Sequence, residues 1–330
     1  MSFYKRRFLN HLKALQPALA RLGAQAFIDP STLVLRARVG ETKCVLRPQF
    51  MTNSGGIQYI PTFNADVRRF VGWCPYAIRR WPLASEKLLF KRFAMENSIR
   101  TPEYSTDPGA AMNDVIVKRS VSSFAFAIRG PFHASSECPL DAAAGEYFER
   151  FVRGMIAKIW YWNDRPVCLE LEQMPFVRGT GLAPIRRLAR RRLRRPQRWG
   201  AAERIADFLK YQGAALDTVL EKGAVQTVDF RYGSRFSIPA FTRDVDLTVN
   251  MTASLESQLL DIGRKLWAAV APQVHADTLF TVDAIVDAEE RLWTLEMNSN
   301  PAIHPYVYPV MLDSLFAAKK ETIAGAALAD

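Results

Sequence analysis

Apolar residues recur at helical spacing through MSFYKRRFLNHLKALQPALARLG and predict an amphipathic opening helix. The pattern then changes to period two. TLVLRARV and TKCVLRPQF read as strands, Asn53-Ser54-Gly55-Gly56 as the turn after them, and IQYIPTF as a further short strand. From Ser85 the spacing is helical again, with Ser85 as N-cap, Leu88, Leu89, Phe93 and Met95 as the apolar face, and Pro102 beyond the end. DVIVKRS, residues 114–120, reads as a strand, and FAFAIRG after a serine-containing turn as its antiparallel partner. AAAGEYFERFVRGMIAKIW reads as a helix and RPVCLELEQM, residues 165–174, as a strand. KGAVQTVDFRYGSRFSIPAFTRDVDLTV reads as strands joined at Tyr232-Gly233-Ser234, before a helix near 253–271 and a closing hairpin within 280–305. Helices and antiparallel hairpins interleave without repeat, which predicts an α+β fold rather than a doubly wound sheet.

Composition narrows this picture only a little. A chain of 330 residues, 49% hydrophobic and 23% charged, has the make-up of an ordinary soluble protein and enough length for two or three associated lobes. It lacks an apolar run of membrane-spanning length, and its basic N-terminus lacks the apolar core of a secretory signal. Cysteines at 44, 74, 138 and 168 and histidines at 11, 133, 275 and 304 are scattered, which argues against a disulfide scaffold or a His/Cys metal site. Reduced thiols and a cytoplasmic location are expected. The excess of 44 Lys and Arg over 33 Asp and Glu favours anionic partners without choosing among nucleotides, nucleic acid and acidic peptides.

The closing hairpin carries the most specific chemistry. With Glu289-Glu290 as its turn, Asp283 lies opposite Glu296 and Thr281 opposite Asn298, and Glu296 and Asn298 share a face. Facing carboxylates at about 5 Å weaken a sheet. A divalent cation reverses that sign, because Mg²⁺ takes hard oxygen ligands alongside water and phosphate. The bland alternative is a row of exposed polar positions before an Asn-Pro turn.

VDAIVDAEERLWTLEMNSNP resembles the terminal motif of the ATP-grasp superfamily, an Asp on one strand and Glu-x-Asn on the next. Its LWTLEMNSNP form is closest to the tubulin-tyrosine-ligase-like branch and to bacterial peptide ligases. The resemblance implies two α+β subdomains clasping ATP, with Asp283, Glu296 and Asn298 holding Mg²⁺ on the nucleotide. The resemblance covers roughly residues 85–330, and residues 1–84, read from their own pattern, form a mixed N-terminal lobe outside it. Residues 85–174 then form the first subdomain and 175–330 the second, with an Arg-rich insertion at 186–198.

Further segments follow in the family's order. Lys87 in SEKLLFKRF and Lys118 in DVIVKRSVSS resemble the two phosphate-binding lysines, with Lys91 one turn beyond Lys87 as the other candidate. Ser120, Ser122 and Ser123 stand where such phosphate loops usually carry glycine. VCLELEQM resembles the strand that reads adenine: Glu170 or Glu172 would take the amino group and Met174 would pack on the ring. TVDFRYGSRFS resembles an Asp-x-Arg segment, and Arg231, or Arg243 in FTRDVDL, would face the transferred phosphate. Each of these residues could equally be an ordinary strand-end or solvated side chain.

Residues 186–198, RRLARRRLRRPQR, hold eight arginines and no acid. They fit a solvated basic helix, a dock for an acidic peptide or protein, or a nucleic-acid contact. The absence of interleaved aromatics makes the last the weaker. Taken with the resemblance, the sequence predicts an ATP- and Mg²⁺-dependent carboxylate–amine ligase acting on an amino acid, peptide or acidic protein. A small-molecule kinase on the same fold and a nucleic-acid-binding protein are the alternatives.

Overall fold

The structure is a computed structural model that describes residues 3–52, 58–121, 128–192, 205–231, 251–270 and 277–327. Ser122, Ser123 and Arg243, the expected turns at 53–56 and 232–234, and the later part of the arginine run lie outside the described residues. The mixed α+β class read from the sequence is the class observed.

The opening helix α1 (Phe3–Arg21) is followed by β1 (Gln25–Ile28), β2 (Leu35–Val39), β3 (Thr42–Thr52), β4 (Gln58–Ile60) and β5 (Val67–Cys74), all in one antiparallel sheet. Alternation of buried Leu35 and Ala37 with exposed Arg36 and Arg38 shows why period two was readable there. A short helix α2 (Pro82–Ser85) precedes α3 (Lys87–Glu96). A second antiparallel sheet has the order β6-β9-β7-β8, from β6 (Tyr104–Ser105), β7 (Asn113–Arg119), β8 (Arg129–Ala134) and β9 (Glu146–Arg150). The third, antiparallel and ordered β11-β10-β14-β15, is built from β10 (Met155–Trp162), β11 (Arg165–Glu172), β14 (Leu279–Val286) and β15 (Leu292–Asn298). Between its halves lie the ribbon of β12 (Phe176–Arg178) and β13 (Val225–Thr227), with α4 (Ile185–Arg192), α5 (Ala206–Tyr211) and α6 (Ala253–Ala268); α7 (Val307–Ala327) ends the described chain.

Two apolar cores cover opposite faces of the third sheet. On one face Ala157, Ile159, Tyr161, Phe280, Val282 and Ala284 pack against Phe90 and Ala94 of α3 and Leu259, Ile262 and Leu266 of α6. On the other, Trp160, Trp162 and Leu279 join the first sheet and α7 through Trp73, Tyr308 and Met311. The N-terminal sheet is therefore continuous in packing with the C-terminal helix. None of the described helices is long and apolar enough to cross a membrane.

Several local expectations change. The segment expected to be a helix around 142–160 is two strands, β9 and β10. Both faces of these strands are covered: Tyr147, Phe148 and Glu149 are all buried, as are Ile156 to Trp162. With no polar alternation left to read, its aromatic content is the remaining strand signal. Gly154 enters β10 so close to Val286 that a Cβ would collide with that carbonyl oxygen. β10 pairs with β14 of the C-terminal hairpin and β11 pairs with β10, so the chain passes from the second sheet to the third at 151–154. The antiparallel partner of β7 is 129–134, later than FAFAIRG suggested. Ser85 does not cap α3. Its hydroxyl donates to Trp81 O at 2.9 Å within α2, and the α3 N-cap is Glu86. The buried face of α3 is Phe90, Lys91 and Ala94, while Met95 is 63% exposed.

Candidate active site

The closing hairpin sets Asp283 opposite Glu296 and Thr281 opposite Asn298, as the sequence reading required. It does so by a different route. The loop is the five residues 287–291, drawn tight by Asp287, whose carboxylate accepts the backbone N–H groups of Glu289 and Arg291. That loop shifts the near-turn pairing by one, and a bulge at Leu295 shifts it back before Glu296. Bulges re-aim side chains and recur beside functional sites. Asn298 donates to Asp283 Oδ2 at 3.3 Å. Asn300 is directed elsewhere: its side chain and the Ser299 hydroxyl brace the backbone of Arg79.

Ammonium groups flank this acid pair. Lys87 at the start of α3 reaches Glu296 Oε2 at 3.1 Å, and Lys158 on β10 reaches Asp283 Oδ1 at 2.5 Å. The Lys87 backbone N–H donates to Ser120 O at 3.0 Å, which ties the entry of α3 to the exit of β7. From that strand Lys118 reaches Glu149 Oε1 on β9 at 2.5 Å. Lys91 takes the other oxygen of Glu149 at 2.7 Å and donates to Thr101 Oγ1 at 2.6 Å. The two lysine candidates on α3 thus divide: Lys87 faces the hairpin carboxylates, and Lys91 is sealed inside.

Burial and charge act oppositely on these groups. Burial would raise Glu296, but the ammoniums of Lys87, Lys118 and Lys158 outweigh it and hold the carboxyl below its ordinary range. Asp283 stays above its own, because burial and the facing Glu296 exceed the help from Lys158. Glu149 is lowered against burial by Lys118 and Lys91. Burial pulls Lys91 down to about 8, with Lys118 opposing its charge and Glu149 supporting it.

The remaining predicted residues are spread more widely. Glu170 and Glu172 do share a face of β11. Glu170 stands opposite Lys158, and its carboxylate is 3.6 Å from His304 Nε2. Burial lowers His304 to about 4, so this is a contact with a neutral ring. Met174 packs with Ile116 of β7, Phe151, Phe208 of α5 and Phe230. Arg231 donates to Asp229 at 3.0 Å and to Ile128 O at 3.3 Å. The first part of the arginine run is helix α4, anchored by Ile185, Leu188 and Ala189, with Arg187, Arg190 and Arg191 exposed.

Sequence reasoning missed Lys158, Glu149 and Tyr147. All three lie in the segment expected to be helical, so their side-chain directions were unreadable. The Tyr147 hydroxyl is buried without a hydrogen-bond partner among the described residues. Burial raises its pKa well above the ordinary value, with Glu149 and Glu296 adding to the rise.

Among the described residues no three His, Cys, Asp or Glu side chains gather as a metal cage. Two carboxylates and a carboxamide between ammonium groups instead offer part of a coordination sphere. That donor set fits Mg²⁺ shared with phosphate oxygens better than a closed structural site.

No protein-family model matches the chain, and no curated protein matches it. Its structure is similar to a bifunctional glutathione synthetase from Pasteurella multocida, at 16% identity and a TM-score of 0.45 over 93% of this chain and 43% of that one. A D-alanine–D-alanine ligase from Coxiella burnetii matches at 12% identity and a TM-score of 0.36, over 75% and 62% of the two chains. The ATP-grasp ligase PsnB, complexed with minimal precursor, matches at 11% identity and a TM-score of 0.33, over 70% and 60%. The chain spans under half the length of the glutathione synthetase. All three likenesses are distant.

Proposed function

We propose that this protein is an ATP-grasp enzyme that joins a carboxylate to an amine at the expense of ATP. The observation that carries the reading is the cross-strand pair Asp283 and Glu296, with Asn298 beside it, faced by Lys87 from α3 and within the field of Lys118 from the second sheet. Asp283, Glu296 and Asn298 would hold Mg²⁺, which draws charge from the phosphate being transferred. Lys87 and Lys118 bind and neutralise phosphate oxygens of ATP. Glu149, itself held by Lys91, positions the ammonium of Lys118 without touching substrate. Arg231, at the entrance of the segment after β13, stabilises charge on the transferred group, with Arg243 as the alternative. The adenine edge is assigned to the exit of β11. There Glu172 is the better acid, since Glu170 lies beside Lys158 and His304, and Met174 packs on the base.

In this reaction the substrate carboxylate takes the terminal phosphate and ADP departs; an amine then displaces phosphate to form the amide. The protein supplies position and electrostatic stabilisation rather than a nucleophilic side chain. The acceptor or donor is an amino acid, a peptide or an acidic protein, in keeping with a net charge of +11 and the exposed arginines of α4. Four buried free thiols agree with a reducing, cytoplasmic setting.

The test is ADP release with Mg²⁺ against a panel of amino acids, peptides and acidic proteins, with products weighed by mass spectrometry. An amide with free phosphate is expected. A phosphorylated alcohol would make the protein a kinase, and salt-sensitive nucleic-acid binding with no ATP turnover would shift attention to the arginine run.

A further inference from the structure

Tyr147 stands on β9 directly opposite Lys118 of β7 and two residues before Glu149, so the three side chains rise from one face of the second sheet. Its hydroxyl is buried, and no described residue shares a hydrogen bond with it. The ring meets that of Tyr104 edge-on, with centroids 6.3 Å apart. The acids nearby are engaged with lysines: Glu149 with Lys118 at 2.5 Å and Lys91 at 2.7 Å, and Glu296 with Lys87 at 3.1 Å. The charges of Glu149 and Glu296 both reach the phenol, so it lies within the field of the buried cluster and of the hairpin acids. A hydroxyl unpaired in such a place has given up water without gaining a partner, which costs the free protein stability.

Burial and the two carboxylates keep the phenol protonated, so the partner it lacks is an acceptor. Phosphate oxygens are such acceptors, and Lys118, the cross-strand neighbour of Tyr147, is one of the two groups assigned to them. A neutral donor can join two ammoniums around a phosphate without adding to the repulsion between them, and its bond to a charged oxygen is of the stronger kind. We infer that the Tyr147 hydroxyl is a third phosphate-binding group beside Lys87 and Lys118, unpaired in the free protein and bonded to a phosphate oxygen of the bound nucleotide. This inference rests on the proposed reading of the site as an ATP site. A structural tyrosine and a phosphate-binding one respond oppositely to the loss of one oxygen. The first loses stability and keeps its affinity, whereas the second keeps or gains stability and loses affinity.

The experiment compares wild type with Tyr147→Phe, which removes only the oxygen. Urea denaturation reads the ligand-free proteins, and calorimetry reads the binding of a non-hydrolysable ATP analogue with Mg²⁺. The variant should unfold at the same urea concentration as wild type or at a higher one. It should bind the analogue about tenfold or more weakly, the scale of a hydrogen bond to a charged group. A lower urea midpoint, or a variant that does not fold, would show that the hydroxyl already has a partner in the free protein, and overturns the inference. Equal affinity of the two proteins for the analogue also overturns it and leaves the ATP site standing. A wild type that binds no analogue removes the ATP site itself, and the inference with it.

Discussion

Two lysine–carboxylate clusters sit close together in this molecule and are built from the same chemistry. In one, Lys91 and Glu149 are 0% and 1% exposed, with Lys118 leaning in from its rim. In the other, Lys87 and Glu296 are 13% and 26% exposed, and Lys158 and Asp283 lie between these extremes. The sealed cluster has one acid for two cations, and of these Lys91 is fully enclosed while Lys118 sits at its edge. The open cluster has paired acids and cations that keep partial contact with solvent. The difference teaches that exposure, more than residue type, separates groups that hold the fold from groups that can trade partners with a nucleotide.

The sharpest way to break this contrast is to remove the acid at the sealed centre. Glu149→Ala leaves two buried ammoniums without a counter-charge and is expected to cost about 3–5 kcal/mol of stability, read by urea denaturation. A loss under about 1 kcal/mol, the range of an exposed pair, would show that the cluster is not sealed. A smaller effect is expected where the clusters touch. Lys118→Met leaves Glu149 with Lys91, so stability should fall less, while affinity for Mg²⁺-ATP drops by about tenfold or more, measured by calorimetry. Equal affinity in the variant would place Lys118 wholly in the structural cluster.

The smallest effect is a dependence on pH. In the folded protein Lys91 loses its proton at about 8, below its ordinary value of 10.5. Between these values the unfolded chain holds the proton more firmly than the folded one. The contribution of Lys91 to stability therefore rises with pH across that window and is lost as pH falls through about 8. The stability of wild type minus that of Lys91→Met should grow from pH 7 to pH 10. A constant difference would mean that Lys91 keeps an ordinary pKa and is wetter than its packing shows.

How much of this was legible beforehand follows the same division. Along β15 buried Leu292, Thr294 and Met297 are spaced by half-buried positions, so Glu296 and Asn298 could be set on one face, opposite Asp283, once a turn was chosen. The pairing held although the turn was misread, since the bulge at Leu295 cancelled the longer loop. Lys87 and Lys118 were readable from their places at the start of a helix and the end of a strand. Glu149 and Lys158 were not, because β9 and β10 are buried on both sides and present no alternation. The continuity of the N-terminal sheet with α7 was equally invisible, resting on contacts between residues more than two hundred positions apart, such as Trp73 N–H to Tyr308 OH.

The central claim is that the facing acids of the hairpin bind metal-bound ATP. Calorimetric titration of Mg²⁺-ATP into wild type and Glu296→Ala tests it most directly. The account predicts saturable binding by wild type that requires Mg²⁺, and a loss of about 10- to 100-fold in the variant with the fold intact by circular dichroism. Equal binding by the two proteins, or equal binding with and without Mg²⁺, would contradict it.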